Sequence, residues 1–591
     1  MLEFIKRIKN LFVNNWQAVL TAAVFAFLVA LPTILPIIKI SDSFKGIYPI
    51  TIDDQEFYLT KVREVYDGNI NSGNPFLKEH KNNAYLTPAL GEYIFANSAK
   101  LLRVSVPFIF LINDFILIFL GVLLVYYLIY SITNKKNISL LFTTYFYLLM
   151  LRDFSRPVNP QFSILFLFLG LIFIWKVYSI KDLNKIAFFS ILLGLTLGLS
   201  VYTQPYFWTT LSVIYFFIIL SWLKKKEFFY LRYSFLPFVS VFSLVCLPYL
   251  KNIMRLVKNP FYHETTLRMG MLYNNHYPAA FLSAGLLILT IVWLVFNYKK
   301  NNNEKIFYFS IIALAGMLFL NWQNIITGNY LWFSSHYFPP TILSVILVFA
   351  INYQSINLSP INDKKTLLIK GVLFIIFLTV NGALINRQLP RSLSMYKFSD
   401  EKILEKMQDY KLVFDWFNDN TENNSAVYCL GDNYCNLLTA YTHNNLYSNS
   451  YAGLNLMSDE EVEDRWVRQN IFTEENIDKE IITKNNTGIW HLKFLAKYQN
   501  EEVRRKIFKL FTGGEEAKAA LVPDDYIERM ISKFEEARKS DLNKELKKFE
   551  IDYVLLDLND ANYADLPDKF ENFSFFKPIK RFDDVLIYQI N

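Results

Sequence analysis

The sequence predicts a polytopic α-helical membrane protein carrying a C-terminal soluble domain of mixed α/β structure, and three observations predict it. The 591 residues are 53% hydrophobic but only 19% charged, where a soluble chain carries about a quarter charged residues. The apolar residues are gathered into about eleven runs that, wound as helices, can cross a hydrocarbon core of about 30 Å. Lys residues collect in alternate short loops between those runs.

The N-terminus reads Lys6, Arg7, Lys9 and then an apolar run from Gln17 to Ile38. A cleavable signal has an apolar core of about 7–15 residues and a small-residue cleavage site. This run is about 20 residues, so a retained first span is expected. Further runs lie at 106–131, 138–151, 161–178, 186–203, 205–222, 228–250, 279–298, 306–320, 337–353 and 366–385. Lipid offers no partner for a backbone N–H or C=O, so these runs are read as helices.

Starting inside and alternating, the inside loops hold Lys135–Lys136, Lys176/Lys181/Lys185, Lys224–Lys226, Lys299–Lys300 with Lys305, and Lys364–Lys365. All fall on one side, as the positive-inside bias requires. An odd span count sends the C-terminus outside. The expected division is a membrane domain over 1–390, with a first outer loop at 39–105, and an extracytoplasmic domain over 391–591, in a multi-pass plasma (inner) membrane protein with a cytosolic N-terminus. In the tail, β-like runs (Ala426–Leu430, Tyr553–Asp557, Val585–Ile590) alternate with helical ones such as Asp525–Lys548, which suggests an α/β or α+β domain.

The excess of 60 Lys and Arg over 53 Asp and Glu reports membrane orientation rather than nucleic-acid binding, because the Lys clusters sit in short loops between apolar runs and not beside exposed aromatics. Three cysteines exclude a disulfide scaffold or a four-cysteine zinc site. Cys429 and Cys435, both outside, are either a disulfide or two buried thiols, and Cys246 belongs to the core. The chain has no Walker loop, Gly-rich dinucleotide fingerprint or His-Glu-x-x-His.

Chemistry concentrates at the outer interface. In the stretch Thr51–Gly68, Tyr58, Leu59, Val62, Val65 and Tyr66 recur at helical spacing, with Lys61, Arg63, Glu64 and Asp67 opposite. This predicts an amphipathic helix lying in the membrane interface. Asp53 and Asp54 stand at its start. Asp53 reads as an N-cap, with Glu56 completing a capping box. That leaves Asp54, a second carboxylate close to where the chain leaves the bilayer, able to take a proton from an acceptor hydroxyl while a donor's lipid tail stays in the membrane.

Asp54 lies four residues before Tyr58, and Arg63-Glu64, Gly68, Pro75 and Tyr85…Pro88 follow. This opening pattern resembles the C-type integral-membrane glycosyltransferases, such as the bacterial aminoarabinose transferases and protein O-mannosyltransferases. The match covers about the first 100 residues. It implies a polyprenyl-phosphate sugar donor, Asp54 as general base with Asp53 supporting it, and Tyr58 among the substrate-binding residues. Two departures stand out. The acidic residue expected after the Asp is Gln55, and the Lys-Pro of the aminoarabinose transferases is Thr87-Pro88, so the phosphate contact implied by that lysine must come from elsewhere or be missing.

The turn Leu151–Pro160 contains Arg152, Asp153 and Arg156. The resemblance places Asp153 near a metal or the donor phosphate; with Asp54 it would hold a divalent cation (Mg, Mn or Zn) if one is used. Arg152 and Arg156 are basic on the outside, against the charge bias, and a guanidinium fork suits a phosphate; the alternative is a capped turn whose arginines bind lipid headgroups. The segment Asn321–Tyr337 offers Gln323, Asn324 and His336 among aromatics, a composition suited to a sugar, although His336 also reads as an ordinary interfacial residue. By analogy with the family's mobile outer loop, 251–278 would close over the donor with Arg268 at its phosphate. Asp114, inside the second span, is a functional candidate by position or simply reaches a neighbouring helix.

These readings converge on transfer of a sugar from a polyprenyl-phosphate donor to a lipid, glycan or protein acceptor on the outer face, by a single inverting displacement. The rival readings are a transporter or flippase of lipid-linked glycans and a non-catalytic membrane scaffold. Transporters usually place polar residues mid-bilayer on broken helices of repeated halves, whereas the candidates here lie at the outer interface and no half is duplicated.

Overall fold

The computed structural model describes residues 14–50, 54–156, 158–278, 280–297, 304–356, 379, 401–431, 435–472, 477–485, 488–514 and 520–591. Asp53, the N-terminal Lys6, Arg7 and Lys9, the Lys clusters at 299–300 and 364–365, and the run 366–385 apart from residue 379 lie outside them.

Ten expected spans are helices: α1 (Trp16–Lys39), then, after two helices of the first loop, α2 (Gln55–Tyr66) and α3 (Leu90–Leu102), come α4 (Val106–Thr133), α5 (Lys136–Phe154), α6 (Ser163–Ser179), α7 (Leu183–Ser200), α8 (Pro205–Lys224) and α9 (Phe228–Lys258). The short α10 (Tyr262–Arg268) precedes α11 (Phe281–Asn297), α12 (Glu304–Thr327) and α13 (Phe338–Ile356). Seven of the spans are long and apolar enough to cross a membrane by length and composition, and α6 and α11 are apolar but shorter. Large apolar side chains such as Leu244, Val295 and Phe296 face outward from these helices, an arrangement that lipid stabilises and water does not.

Without a hydrophobic drive inside lipid, helices associate through small residues that let backbones approach. Ala18, Ala22, Ala26 and Ala30, one every four residues, are buried where α1 packs against α4. Gly194 and Gly198 do the same for α7 on α9: a Cβ at Gly194 would stand 2.6 Å from the Phe238 carbonyl oxygen, and one at Gly198 would stand 2.8 Å from Val245 Cβ. The Ser190 and Ser234 hydroxyls meet at 3.0 Å across this seam.

The helices extend beyond the expected runs on one side. The helix expected to end near 250 continues to Lys258, and the one expected to end near 320 continues to Thr327. Both carry the chain towards a two-stranded ribbon, β1 (Met271–Leu272) paired antiparallel with β2 (Tyr330–Leu331). At the opposite end are the Lys-bearing loops, where Lys225 Nζ lies 4.7 Å from the Tyr308 ring centroid and Lys136 donates to the Asn14 carbonyl at 2.8 Å.

The C-terminal residues build a mixed sheet. α14 (Glu401–Asn420), β3 (Ala426–Leu430), α15 (Cys435–Tyr441) and β4 (Asn445–Leu446) are followed by α16 (Asp459–Gln469), α17 (Lys479–Lys484), α18 (Leu495–Thr512), α19 (Asp524–Lys539) and α20 (Leu542–Leu546). β5 (Tyr553–Asp557), α21 (Leu566–Glu571), β6 (Phe576–Phe582) and β7 (Val585–Ile590) complete it. Strand order is β4-β3-β5-β7-β6, with β3 parallel to β4 and β5 and the remaining pairs antiparallel. Strand alternation sends Val427, Cys429, Leu555 and Ile587 to one face, with Phe414 and Phe417 of α14. Tyr428, Leu430, Val554 and Leu556 go to the other face, with Phe570 and Phe576. The single helix expected over Asp525–Lys548 is two, because Asp541 caps a new start by accepting from Lys544 N at 3.2 Å. Cys429 and Cys435 are disulfide-bonded, and Cys246 is a buried thiol in α9.

The first loop and this domain pack as one layer. Ile47 belongs to the core of the sheet's α14 face, Leu446 N donates to the Phe76 carbonyl at 2.9 Å, and Gln408 accepts from the backbone of Ile47 at 3.1 Å. This overturns the expectation that α2 lies in the membrane interface. α2 is enclosed between α3 and α15, and Lys61 and Glu64 of its polar side are buried as well as its apolar side, Arg63 being half-buried and Asp67 exposed. Lys61 pairs with Glu92 at 2.5 Å, Lys81 with Glu64 at 2.8 Å, and the Thr60 and Thr439 hydroxyls meet at 2.8 Å. An amphipathic pattern records two unlike faces, and here protein covers the apolar one and much of the polar one.

Candidate functional site

α2 begins where the first loop returns to the bundle. Asp54 occupies its N-cap position, yet its side chain makes no capping bond. The carboxylate turns instead to Arg156, 102 residues on: Nη2 donates to Oδ2, and Nε lies 3.4 Å from Oδ1. Arg156 stands in the turn between α5 and α6, which is held from several sides. Val158 adopts φ 59, a conformation a β-branched residue rarely takes; its burial against Gly91 of α3 keeps it there. Below it, Gln161 Nε2 donates to Asp114 at 2.7 Å, so the carboxylate in the second span braces this turn.

One helical turn after Asp54, Tyr58 is buried with its hydroxyl close to Asp54, Arg156, Glu92 and Asn159. Burial, reinforced by the Asp54 and Glu92 carboxylates and opposed by Arg156, holds its phenol well above the usual value, so Tyr58 is an un-ionised hydrogen-bonding group. A further turn on, Lys61 Nζ lies 3.1 Å from Thr87 Oγ1 as well as on Glu92. An ammonium therefore reaches the position where the resemblance implies a lysine and the sequence has Thr87.

Two aromatic elements complete the surroundings. Tyr206, at the start of α8, lies 4.9 Å from the His336 ring and 5.2 Å from the Tyr337 ring, and the Tyr337 and Thr209 hydroxyls meet at 3.0 Å. Arg156 is near enough to both Tyr206 and His336 to act on them electrostatically. Asp153, in the last turn of α5, is half-buried with Arg156 and Arg152 as its charged neighbours, and Arg152 is exposed. The structure thus brings Asp54, Tyr58, Arg156, Asp153 and His336 together.

It does not bring three others. Arg268 is fully buried against the C-terminal domain, where it donates to Gly453 O at 2.9 Å, Met457 O at 2.7 Å, Thr265 Oγ1 at 3.1 Å and the Asp459 carboxylate. A guanidinium committed to four partners and closed to water has nothing left for a phosphate. Loop 251–278 is correspondingly docked on that domain, with Leu492 N donating to the Arg268 carbonyl at 3.2 Å. Asn324 is buried and donates to the Asn275 and Tyr277 carbonyls at 3.1 and 2.7 Å. Gln323 is spent within its own loop, donating to Asn329 O at 2.8 Å and accepting from Thr327 at 2.7 Å. Glu92, Asn159 and Tyr206 were not singled out in the sequence. Tyr206 had a signal, an aromatic immediately after Gln204–Pro205 between two expected spans, whereas Glu92 is one acid among many until the fold places it on Lys61.

Among the described residues the donor set does not fit a divalent cation. Arg156 occupies the Asp54 carboxylate and flanks Asp153 with Arg152, so positive charge already stands where the ion would sit. Among the described residues no three His, Cys, Asp or Glu side chains gather to hold one. The site reads instead as an anion-receptive arginine beside a carboxylate, walled by tyrosines.

No family model matches the chain, and no curated protein matches it by sequence. Among solved structures it is similar to ArnT from Cupriavidus metallidurans bound to undecaprenyl phosphate (TM-score 0.47, 10% identity, 97% of each chain covered). It is similar also to the same protein in the apo state (TM-score 0.44, 10% identity, 91% of this chain and 93% of that one). A third is the Archaeoglobus fulgidus oligosaccharyltransferase in the apo form (TM-score 0.37, 11% identity, 96% of this chain and 73% of that one).

Proposed function

We propose that the chain is a membrane glycosyltransferase that moves a sugar from a polyprenyl-phosphate donor to an acceptor hydroxyl at the outer face. The observation that carries this reading is the Asp54–Arg156 pair: a proton acceptor and a phosphate-receptive fork in contact, where the first loop meets the turn between two spans. In this reading the donor's prenyl chain stays in lipid and its phosphate takes the Arg156 guanidinium. Asp54, released from the arginine, accepts the acceptor's proton as the acceptor oxygen attacks the anomeric carbon. The bond from that carbon to the phosphate oxygen breaks, and polyprenyl phosphate leaves with its charge compensated by Arg156. One displacement without a covalent enzyme intermediate inverts the anomeric centre.

Each neighbour has a part in this scheme. Tyr58 donates a hydrogen bond without competing as a base. Tyr206 and His336 offer ring faces to a pyranose. Lys61 supplies positive charge near Thr87, and Asp153 tempers the charge of Arg152 and Arg156. Asp53 would support Asp54 from the preceding position. No step passes through a metal. The outer placement of this end is supported by the Lys-rich loops at the opposite end and by the Cys429–Cys435 disulfide, a bond that persists in oxidising compartments.

The test is product analysis. The protein, reconstituted with short-chain polyprenyl-phosphate sugars and a lipid extract as acceptor source, should release free polyprenyl phosphate in step with a glycosylated product of inverted anomeric configuration. Translocation of intact donor across the bilayer without release of polyprenyl phosphate would replace the reading with a flippase.

A further inference from the structure

Helix α18 is an 18-residue helix with none of its residues buried. Most of a protein helix's stability comes from packing an apolar face rather than from intrinsic propensity. α18 has such a face. Val503, Ile507, Leu510 and Phe511 follow the i, i+4, i+7, i+8 spacing, but Leu510 is 80% and Phe511 81% exposed. The rest is basic: Lys497, Arg504, Arg505, Lys506 and Lys509 against Glu501 and Glu502, with Arg505 on Glu502 at 2.8 Å.

Its position is fixed by its first half. Asn275 Nδ2 donates to Gln499 Oε1 at 3.4 Å, α18 packs against β1, and Gln499, Glu502 and Lys506 face Tyr277, Pro278 and Tyr330 across a cleft. Pro278 stands three residues before α11, whose first residues, Phe281 and Leu282, are themselves exposed. α18 is therefore tethered beside the point where the chain passes into lipid.

We propose that α18 lies in the outer membrane interface, with the Val503–Ile507–Leu510–Phe511 face at the headgroup–acyl boundary and its basic flanks on anionic headgroups. Basic residues with long apolar stems beside an apolar stripe are the composition of interfacial helices. The same charge disfavours the other obvious occupant, a second copy of this helix, because five basic residues against two acidic ones repel their like. The role the sequence pattern suggested for α2 thus falls to α18, which would fix the C-terminal domain against the bilayer independently of what the Asp54 site does.

The test uses the full chain in nanodiscs loaded with one copy each. A spin label at Phe511→Cys is compared with one at Lys539→Cys on the exposed flank of α19, the native cysteines being buried or disulfide-bonded. In discs containing anionic lipid, the label at 511 should collide more with oxygen than with an aqueous nickel chelate, and the label at 539 should show the reverse. On purely zwitterionic discs the inserted fraction's equilibrium should shift towards water, roughly fivefold for each basic residue that reaches the headgroups. A label at 511 as open to nickel as that at 539 would overturn the proposal. Protection from both reagents that appears only with two copies per disc would do so too, assigning the face to self-association. An inserted fraction equal on anionic and zwitterionic discs would overturn the anionic part.

Discussion

Replacing Arg156 by Ala tests whether this side chain receives a phosphate, and the structure bounds the size of the effect. Without donor, the guanidinium is committed to Asp54, and the two side chains are 28% and 24% exposed. The pair falls between exposed ion pairs, worth about 0–1 kcal/mol, and buried ones, whose truncation costs about 3–5 kcal/mol. A phosphate that takes over the guanidinium gains charge-assisted bonds of about 1.5–3 kcal/mol each but must displace the Asp54 contact. The net loss of donor affinity in Arg156→Ala should therefore be about 1–3 kcal/mol, or roughly 5- to 150-fold in Kd. Arg156→Lys should recover only part, because an ammonium is a point charge rather than a fork. The competition has a second signature: Asp54→Asn removes the arginine's resident partner, so donor phosphate should bind as tightly as in the native protein or up to about fivefold tighter, which is about 1 kcal/mol. Titration calorimetry with a short-chain polyprenyl phosphate measures all three variants. Unchanged affinity in Arg156→Ala, or weaker binding in Asp54→Asn, would refute the reasoning.

Arg268→Met should leave donor affinity unchanged but lower stability by about 1–3 kcal/mol for each buried carbonyl left without a donor, those of Gly453 and Met457, while Asp459 keeps Lys493 at 2.5 Å; thermal unfolding beside the same titration separates the two effects. His491, buried in the C-terminal domain and next to Arg268, is pushed down to about 4 by burial first and Arg268 second. A depressed imidazole means the unfolded chain binds a proton near 6.5 that the native state refuses, so stability should fall by up to roughly 3 kcal/mol as pH drops from about 6.5 to 4. Burial raises the Asp459 carboxyl, but Lys493 and Arg268 together hold it below its usual range, so its contribution fades only at lower pH. Unfolding midpoints across that window should show the slope in the native chain and lose it in His491→Asn. Reporter fusions at Lys225 and Asn591 should report opposite compartments; the same compartment for both would contradict the proposed orientation.

What was legible in the sequence follows from the length scale of each constraint. A bilayer imposes long apolar runs, so ten helices appear where runs were found, and the strands were readable at Ala426–Leu430, Tyr553–Asp557 and Val585–Ile590 as short, nearly continuous apolar runs because each presents both faces to a core. Asp54 was legible as a carboxylate at a helix start in the first loop. Its partner was not, because 102 residues separate Arg156 from it and no local pattern records that contact. Tertiary packing also overrode two local readings. The charged side of α2 looked solvated until Glu92, Lys81 and α15 covered it. Arg268 looked like an available cation in an outer loop until the Gly453 and Met457 carbonyls and Asp459 claimed its donors. In both cases the sequence shows a charge but not whether its partner is water, ligand or protein.

The central claim is that Asp54 accepts the proton in sugar transfer, and single-turnover transfer by Asp54→Asn at saturating donor tests it most directly. The amide keeps the side chain's shape and leaves Arg156 free for phosphate, so donor binding should persist while the rate of transfer falls by about 10²- to 10⁴-fold, the usual contribution of a positioned general base. Transfer at the native rate with donor bound would contradict the claim.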